Sequence, residues 1–292
     1  MHSYTIKDLE NLSGIKAHTI RIWEQRYSFL KPDRTDTNIR YYNGDELKKL
    51  LNVALLNRYG FKISHIDKMD EVEVKEKIIT LNQGLAQQER VVNELIQHMI
   101  DLNVEIFEAV LDNYIMARGF EKAIPQIIFP YLEKVGILWL TNHINPAQEH
   151  LVTNIIRQKL LVAIDSTKCP VISNKKVLLF LPEGEYHELG LLFVYYILKS
   201  RGVGVIYLGC NISINDVEYV AITKRPDFLY THLTSAGHKF NFEKFLAEIS
   251  RYFPDIPVII SGQLTASYLK KVQFPVIFKK SLAETMDFAN SF

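Results

Sequence analysis

The 292-residue sequence predicts a multidomain protein in three parts: an all-α head with a short β wing, a four-helix bundle, and an α/β unit on a doubly wound, five-stranded parallel sheet. Three observations predict it. Residues 1–70 hold two short amphipathic segments separated by a glycine and followed by a polar loop. Residues 91–170 carry apolar side chains at steps of three and four. From Lys175 onward, short apolar runs alternate with helical stretches.

In the head, Thr5 caps a helix bearing Ile6, Leu9 and Leu12, and Gly14 ends it. A second helix begins near Lys16 and carries Thr19, Ile20 and Trp23, which makes a helix-turn-helix. Pro32 and the polar run Asp33 to Asn38 form a loop leading to the β-prone Ile39-Arg40-Tyr41-Tyr42, a wing beside the second helix. Leu47, Leu50, Leu51, Ala54 and Leu55 lie on one face of a third helix that Gly60 ends. Trp23 and Tyr42 belong to the core of so small a domain. The formal charge of the whole chain is +1, yet residues 1–70 hold 12 Lys/Arg against 9 Asp/Glu and the remaining 222 hold 22 against 24. Between Lys16 and Arg40 the cations Lys16, Arg21, Arg26, Lys31, Arg34 and Arg40 face only Glu24, Asp33 and Asp36, a local excess suited to a polyanion.

Residues 71–90 read as a connecting helix or linker. Ile78, Leu81, Leu85, Val92, Leu95, Met99 and Leu102 form a near-heptad seam broken by Gln88, which fits a coiled coil or the start of a bundle. The amphipathic stretches Ile106 to Ala117, Ile124 to Trp139 and Ala147 to Ile164 follow at once and favour a bundle over 91–170. Asn145 suits an N-cap, Pro146 the first helical position and Gln148 a capping-box partner, so Glu149 and His150 fall in a first turn. Trp139 ends the preceding helix. A short connection then gathers Trp139, Glu149 and His150 at one end of the bundle, where an indole, a carboxylate and an imidazole can receive a flat apolar group bearing hydroxyls.

From 175 to 292 the runs Val177 to Leu181, Val203 to Leu208, Phe228 to Thr231, Val258 to Ser261 and Val276 to Phe278 are the strands of a flavodoxin-like sheet. Ligands bind outside the carboxyl ends of such strands, which points to His187, Thr231, Thr234, Ser235, Ser261 and Gly262. A carboxylate on the far nitrogen of His187, from Glu185 or Glu188, would fix its tautomer for metal ligation. No dinucleotide fingerprint or nucleophile elbow occurs, so neither a nicotinamide enzyme nor an α/β-hydrolase is expected. Cys169 and Cys210 have no CxxC spacing and read as packing residues. The absence of an apolar run long enough for a bilayer, and of an apolar core in Met1 to Gly14, predicts a cytoplasmic protein with no membrane partner.

Tyr4-Thr5-Ile6-x-x-Leu9, Gly14-Ile15-x-x-x-Thr19-Ile20-Arg21-x-Trp23-Glu24-x-Arg26-Tyr27, Leu30-x-Pro32-x-Arg34 and Arg40-x-Tyr42 resemble the MerR family over about the first seventy residues. The resemblance implies that the second helix enters the major groove of double-stranded operator DNA. His18, Thr19 and Arg21 become candidates for base or phosphate contacts, and Tyr27, Arg34, Arg40 and Tyr41 for backbone contacts. Glu185-x-His187-x-x-Gly190 resembles the lower-ligand motif of cobalamin-binding proteins. Thr231-x-Leu233 and Ser261-Gly262 resemble the elements that accommodate the nucleotide tail, and Ser261 stands where a second glycine is usual. With Trp139, Glu149 and His150 the chain is similar to light-responsive, adenosylcobalamin-binding MerR-type repressors of carotenoid genes. That resemblance implies that His187 binds cobalt, that Trp139 and Glu149 meet the adenosyl group, and that a homo-oligomer (dimer or tetramer) assembles on the operator and affects RNA polymerase indirectly. Leu140 follows Trp139 where light-responsive members have a histidine, and His143 is not equivalent, so binding is better supported than photochemistry. The other readings are a MerR-type regulator whose C-terminal domain senses another ligand or partner, and a corrinoid methyl carrier, which would have no use for a DNA-binding head. No catalytic residue is assigned.

Overall fold

The computed structural model describes residues 3–81, 84–140, 144–169, 173–234 and 240–292; Ser235 and His143 lie outside them. The chain divides into two compact units, Met1–Ile155 and Ile156–Phe292, and the division falls inside helix Pro146–Ser166.

In the first unit, helix Ile6–Ser13 starts at a full capping box between Thr5 and Asp8, and Gly14 at φ 74° closes it in the left-handed conformation that glycine adopts without strain. Helix Ala17–Arg26 follows after a tight turn. Strands β1 (Asp33–Arg34) and β2 (Arg40–Tyr41) pair antiparallel as the wing. The start of the polar run, expected as loop, is therefore strand, because backbone pairing with Arg40 and Tyr41 overrides its low β propensity. Tyr4 bridges to Tyr42 with two backbone bonds of 2.7 and 2.9 Å, which fastens the wing to the entry of the first helix. Leu9, Ile20, Tyr42, Leu47, Leu50 and Leu51 are buried beneath helix Gly44–Arg58, and Trp23 is buried as expected.

The seam from Ile78 to Leu102 is split. Helix Glu71–Ile79 ends at Thr80, a new helix runs Gly84–Ile100, and Leu85 and Leu102 are exposed. Val92, Leu95 and Met99 are instead buried; the Tyr131 hydroxyl of helix Phe129–Leu140 donates to the Met99 sulfur at 3.1 Å, and its ring meets Phe107 of helix Val104–Arg118 edge to face. This is bundle packing. A five-residue π segment, Ile124–Ile128, precedes Phe129–Leu140; Pro130, lacking an N–H, cannot continue the regular ladder there.

In the second unit, strands β3 (Lys176–Pro182), β4 (Gly204–Ile212), β5 (Phe228–His232), β6 (Val258–Ser261) and β7 (Val276–Lys279) form one parallel sheet in the order β4-β3-β5-β6-β7. Helices Leu189–Ser200 and Leu282–Asn290 pack together against one face, and Ile214–Lys224 and Phe242–Tyr252 against the other. The strand order reverses at β3, so the crevice at the carboxyl ends of β3 and β5 is the position where a ligand is expected. No helix among the described residues is long and apolar enough to cross a membrane.

Candidate functional site

The DNA-facing candidates are displayed on the head. His18 and Arg21 are exposed on helix Ala17–Arg26 and Thr19 is partly so, while Ile20 and Trp23 turn inward. Arg34 lies on the wing and holds Asn38 Oδ1 at 2.5 Å. Tyr27 stacks on Phe29 with centroids 6.1 Å apart, and Tyr41 is partly buried. Arg40 is also engaged within the head. Its Nε donates to Glu24 Oε2 at 3.0 Å, and Tyr42 donates its hydroxyl to the other oxygen of the same carboxylate. Glu24 thus ties the second helix to the wing. Burial, then the Glu24 carboxylate, push the Tyr42 phenol far above its usual range, so it stays a donor. Ile22, 43% exposed on the same helix, is an apolar member of this face that charge reasoning overlooked.

On the bundle, Trp139 is 46% exposed at the last turn of its helix, beside the fully buried Leu138. Asn145 caps the helix and Gln148 supplies half of the expected capping box: Asn145 N–H donates to Gln148 Oε1, while Asn145 Oδ1 accepts from Ala147 N–H instead of from Gln148, each at 2.8 Å. The Gln148 amide also donates to the Ile100 carbonyl at 3.0 Å, so the turn carrying Glu149 and His150 is bonded to the end of helix Gly84–Ile100. His150 Nδ1 lies 3.0 Å from Glu149 Oε2 and its side chain is largely exposed.

In the second unit, Glu185 is fully buried at the carboxyl end of β3, and its Oε1 accepts from Tyr186 N–H and His187 N–H, each at 2.9 Å. His187 Nδ1 lies 2.5 Å from the same oxygen, and Thr234 N–H donates to Oε2 at 3.1 Å. Burial alone would raise the Glu185 pKa, but the bonds from His187 and Thr234 outweigh it and hold it below the usual carboxylate range. An ionised carboxylate only accepts, so Nδ1 carries a proton, and in the neutral ring the lone pair is then on Nε2. Glu188 is occupied elsewhere, accepting from Arg157 Nε at 2.7 Å and from the Tyr207 hydroxyl at 2.5 Å. The geometry therefore selects Glu185 as the orienting group.

The remaining motif residues meet beside this loop. Thr231, Leu233 and Ser261 are buried, and the Thr231 hydroxyl has no hydrogen-bond partner. Gly262, at φ 98°, lies so close to the Leu233 backbone that a Cβ there would sit 2.3 Å from its carbonyl oxygen. At Gly190 a Cβ would fall 2.3 Å from Cδ2 of His232. His232 is the residue that sequence reasoning missed. Its Nδ1 lies 2.8 Å from Ser261 Oγ, which also meets the Tyr230 hydroxyl at 2.6 Å, and Tyr230 stacks on Phe288. Burial lowers the His232 pKa to about 4, keeping the ring neutral. Strand alternation was the available signal: the middle residue of Thr231-x-Leu233 faces the side of the sheet opposite to its neighbours. A cavity of about 650 Å³ also opens at the ends of β3 and β4, lined by Phe180, Pro182, Ile212, Phe240 and Lys244 among others; none of the motif residues lines it.

A lone imidazole on an ionised carboxylate is a ligand set for a metal that brings its other ligands, and among the described residues no cluster of three or more His, Cys, Asp or Glu could hold a bare ion. His187 could thus hold a metal that arrives with its own set of ligands. Beside it the packing is tight: His232 lies against Gly190 and the Leu233 backbone against Gly262, leaving no room for a side chain at either glycine.

The fold and these two sites define a helix-turn-helix regulator with a cofactor-binding module. The family model for MerR HTH family regulatory proteins matches residues 4–72, and that for the B12 binding domain matches residues 91–163. The chain is 28% identical over 278 residues to the HTH-type transcriptional repressor CarH of Myxococcus xanthus, covering 91% of each. It is 26% identical over 269 residues to the repressor CarA of the same organism, covering 91% of this chain and 89% of that one. Among solved structures, the monomethylamine corrinoid protein of Methanosarcina barkeri shares the fold at TM-score 0.53 and 14% identity, over 70% of this chain and 99% of that one. The chain carries a MerR-type helix-turn-helix domain and a B12 binding domain, and over 91% of its length it is homologous to the CarH and CarA transcriptional repressors.

Proposed function

We propose that this chain is a repressor whose assembly and operator binding are set by a bound cobalamin. One observation carries the reading: the Glu185–His187 pair, 2.5 Å apart at the carboxyl end of β3, in a chain whose preceding residues match the B12 binding domain. When bound, the cofactor would supply a cobalt centre with exchangeable ligands. The chain's own part would be to hold it through His187 Nε2, with Glu185 holding the Nδ1 proton. The same reading assigns Trp139, Glu149 and His150 to the upper substituent, Gly190, Thr231, Leu233, Ser261 and Gly262 to the lower surroundings, and His18, Thr19, Arg21, Tyr27, Arg34, Arg40 and Tyr41 to double-stranded operator DNA. Adenosylcobalamin as the form bound, light as signal, carotenoid genes as targets, a dimer or tetramer, an indirect effect on RNA polymerase and a cytoplasmic location extend the reading from resemblance.

The switch is linkage. The cofactor must bind one arrangement of the protein better than another, because equal affinity for both shifts nothing. Heads held together then raise operator affinity without new base contacts. The test is a visible-absorption titration of the full chain with adenosylcobalamin in darkness. Replacement of the cofactor's own base by His187 is expected to shift the spectrum at saturation, and His187→Ala should abolish that shift. An unchanged spectrum at millimolar cofactor contradicts the reading.

A further inference from the structure

The lower-ligand loop suits a cobalt-bearing ring, while the space beside it is occupied by a side chain of the protein itself. His232 projects from the end of β5 toward helix Leu189–Ser200, its ring pressed on Gly190 so closely that even a methyl group there would collide with it. It is held by Ser261, which Tyr230 also engages, and Tyr230 is pinned by Phe288. Cobalamin carries a nucleotide tail that His187 would displace from cobalt, and a displaced tail must be lodged beside the loop that supplies the imidazole. By resemblance Thr231-x-Leu233 and Ser261-Gly262 accommodate that tail; His232, the middle residue of the first, is bonded to Ser261 of the second and packs on Gly190.

Resting on the cobalamin reading above, we propose that His232 is a specificity-determining latch of the corrinoid site. A tail enters only by displacing the imidazole from Ser261 and Gly190, so the protein binds a corrinoid without a nucleotide tail more tightly than cobalamin. Nothing covalent changes; the discrimination is steric, with loss of one buried hydrogen bond. Ser261 adds to it, since its hydroxyl supplies the bond that holds the latch shut.

The experiment titrates the full chain with aquacobalamin and with diaquacobinamide, which has the same ring and cobalt but no nucleotide, for the native protein and for His232→Ala, His232→Ser and His187→Ala. The native protein should bind diaquacobinamide at least about tenfold more tightly than aquacobalamin. Either substitution at His232 should raise aquacobalamin affinity about tenfold or more and leave diaquacobinamide affinity unchanged, and that second value also reports that the variants are folded. Equal affinities in the native protein, or no response of aquacobalamin binding to either variant, overturns the latch while leaving the cobalamin reading intact. If neither corrinoid binds the native protein, or His187→Ala binds both as before, the reading of the site falls and the latch with it.

Discussion

At the scale of single residues, Glu185 gives up its solvent entirely to bind one imidazole and three backbone N–H groups, an arrangement that only an ionised carboxylate satisfies. Glu185→Gln removes the charge that fixes the His187 tautomer and is expected to weaken diaquacobinamide binding by about 10–100-fold in an absorption titration; unchanged affinity would show that the pair only braces the loop. His232 makes a prediction of opposite chemistry. Its folded pKa of about 4 lies below the ordinary imidazole value near 6.5. Between the two the unfolded chain binds more protons, so the stability from the buried neutral ring is complete above pH ~6.5 and is lost as pH falls toward 4. Glu185 and His187 face this ring, the carboxylate favouring its protonation and the imidazole opposing it. Denaturant unfolding at pH 7 and pH 4.5 should therefore show the native protein losing about 1–3 kcal/mol more than His232→Gln. Sequence alone pointed to Glu185 but left Glu188 open as the group that holds His187, because both lie within two residues of it. Only the turn of the chain, which sends Glu188 to Arg157 and Tyr207, separates them.

At the scale of elements, the helix termini were the most legible parts. Thr5, Gly14 and Asn145 are chemical stop and start signals that act over three or four residues, and each operates as expected. The strand at Asp33–Arg34 and the break between Ile79 and Gly84 were not legible, since the first depends on a partner strand and the second on which face the bundle buries. Gln148 shows the limit of local reading: it accepts from the N-cap Asn145 N–H and also reaches 48 residues back to the Ile100 carbonyl. Gly190 offers a test of element packing. Gly190→Ala drives a methyl group into the His232 ring and should cost about 1–3 kcal/mol in denaturant unfolding, as overpacking does. Combining it with His232→Ala should recover most of that loss, whereas a simple sum of the two single effects would show that the contact is not what limits this position. Arg58 is a second case, donating to Glu89 and, at 3.0 Å, to the Ser13 carbonyl, so it joins the head's first helix to the bundle. Arg58→Ala is expected to lower unfolding stability by about 0.5–2 kcal/mol, well beyond an exposed lysine substitution such as Lys77→Ala; equal effects would mean that the contact contributes nothing.

For the whole molecule, the order of parts was readable because each has its own periodicity: helix-turn-helix over 4–72, helical over 91–163, and alternating strand and helix to the end. The packing of His232 on Gly190 was not, because His232 is the unspecified middle position of Thr231-x-Leu233 and only the alternation of β5 gives the side it faces. The exposed cations of the head should act through phosphates: Arg34→Ala is expected to weaken binding to all duplexes alike and to reduce the salt slope of log K by about 1, while a sequence-dependent loss would move Arg34 to base readout. The central claim, an imidazole of this chain on the cobalt of a corrinoid, is tested most directly by electron paramagnetic resonance of the full chain loaded with cobalt(II) cobinamide. That ligand has no nucleotide base of its own, so a three-line nitrogen splitting on the cobalt signal has to come from the protein. The account predicts that splitting in the native chain and its loss in His187→Ala. A bound cobinamide signal without nitrogen splitting, or one unchanged in the variant, would contradict it.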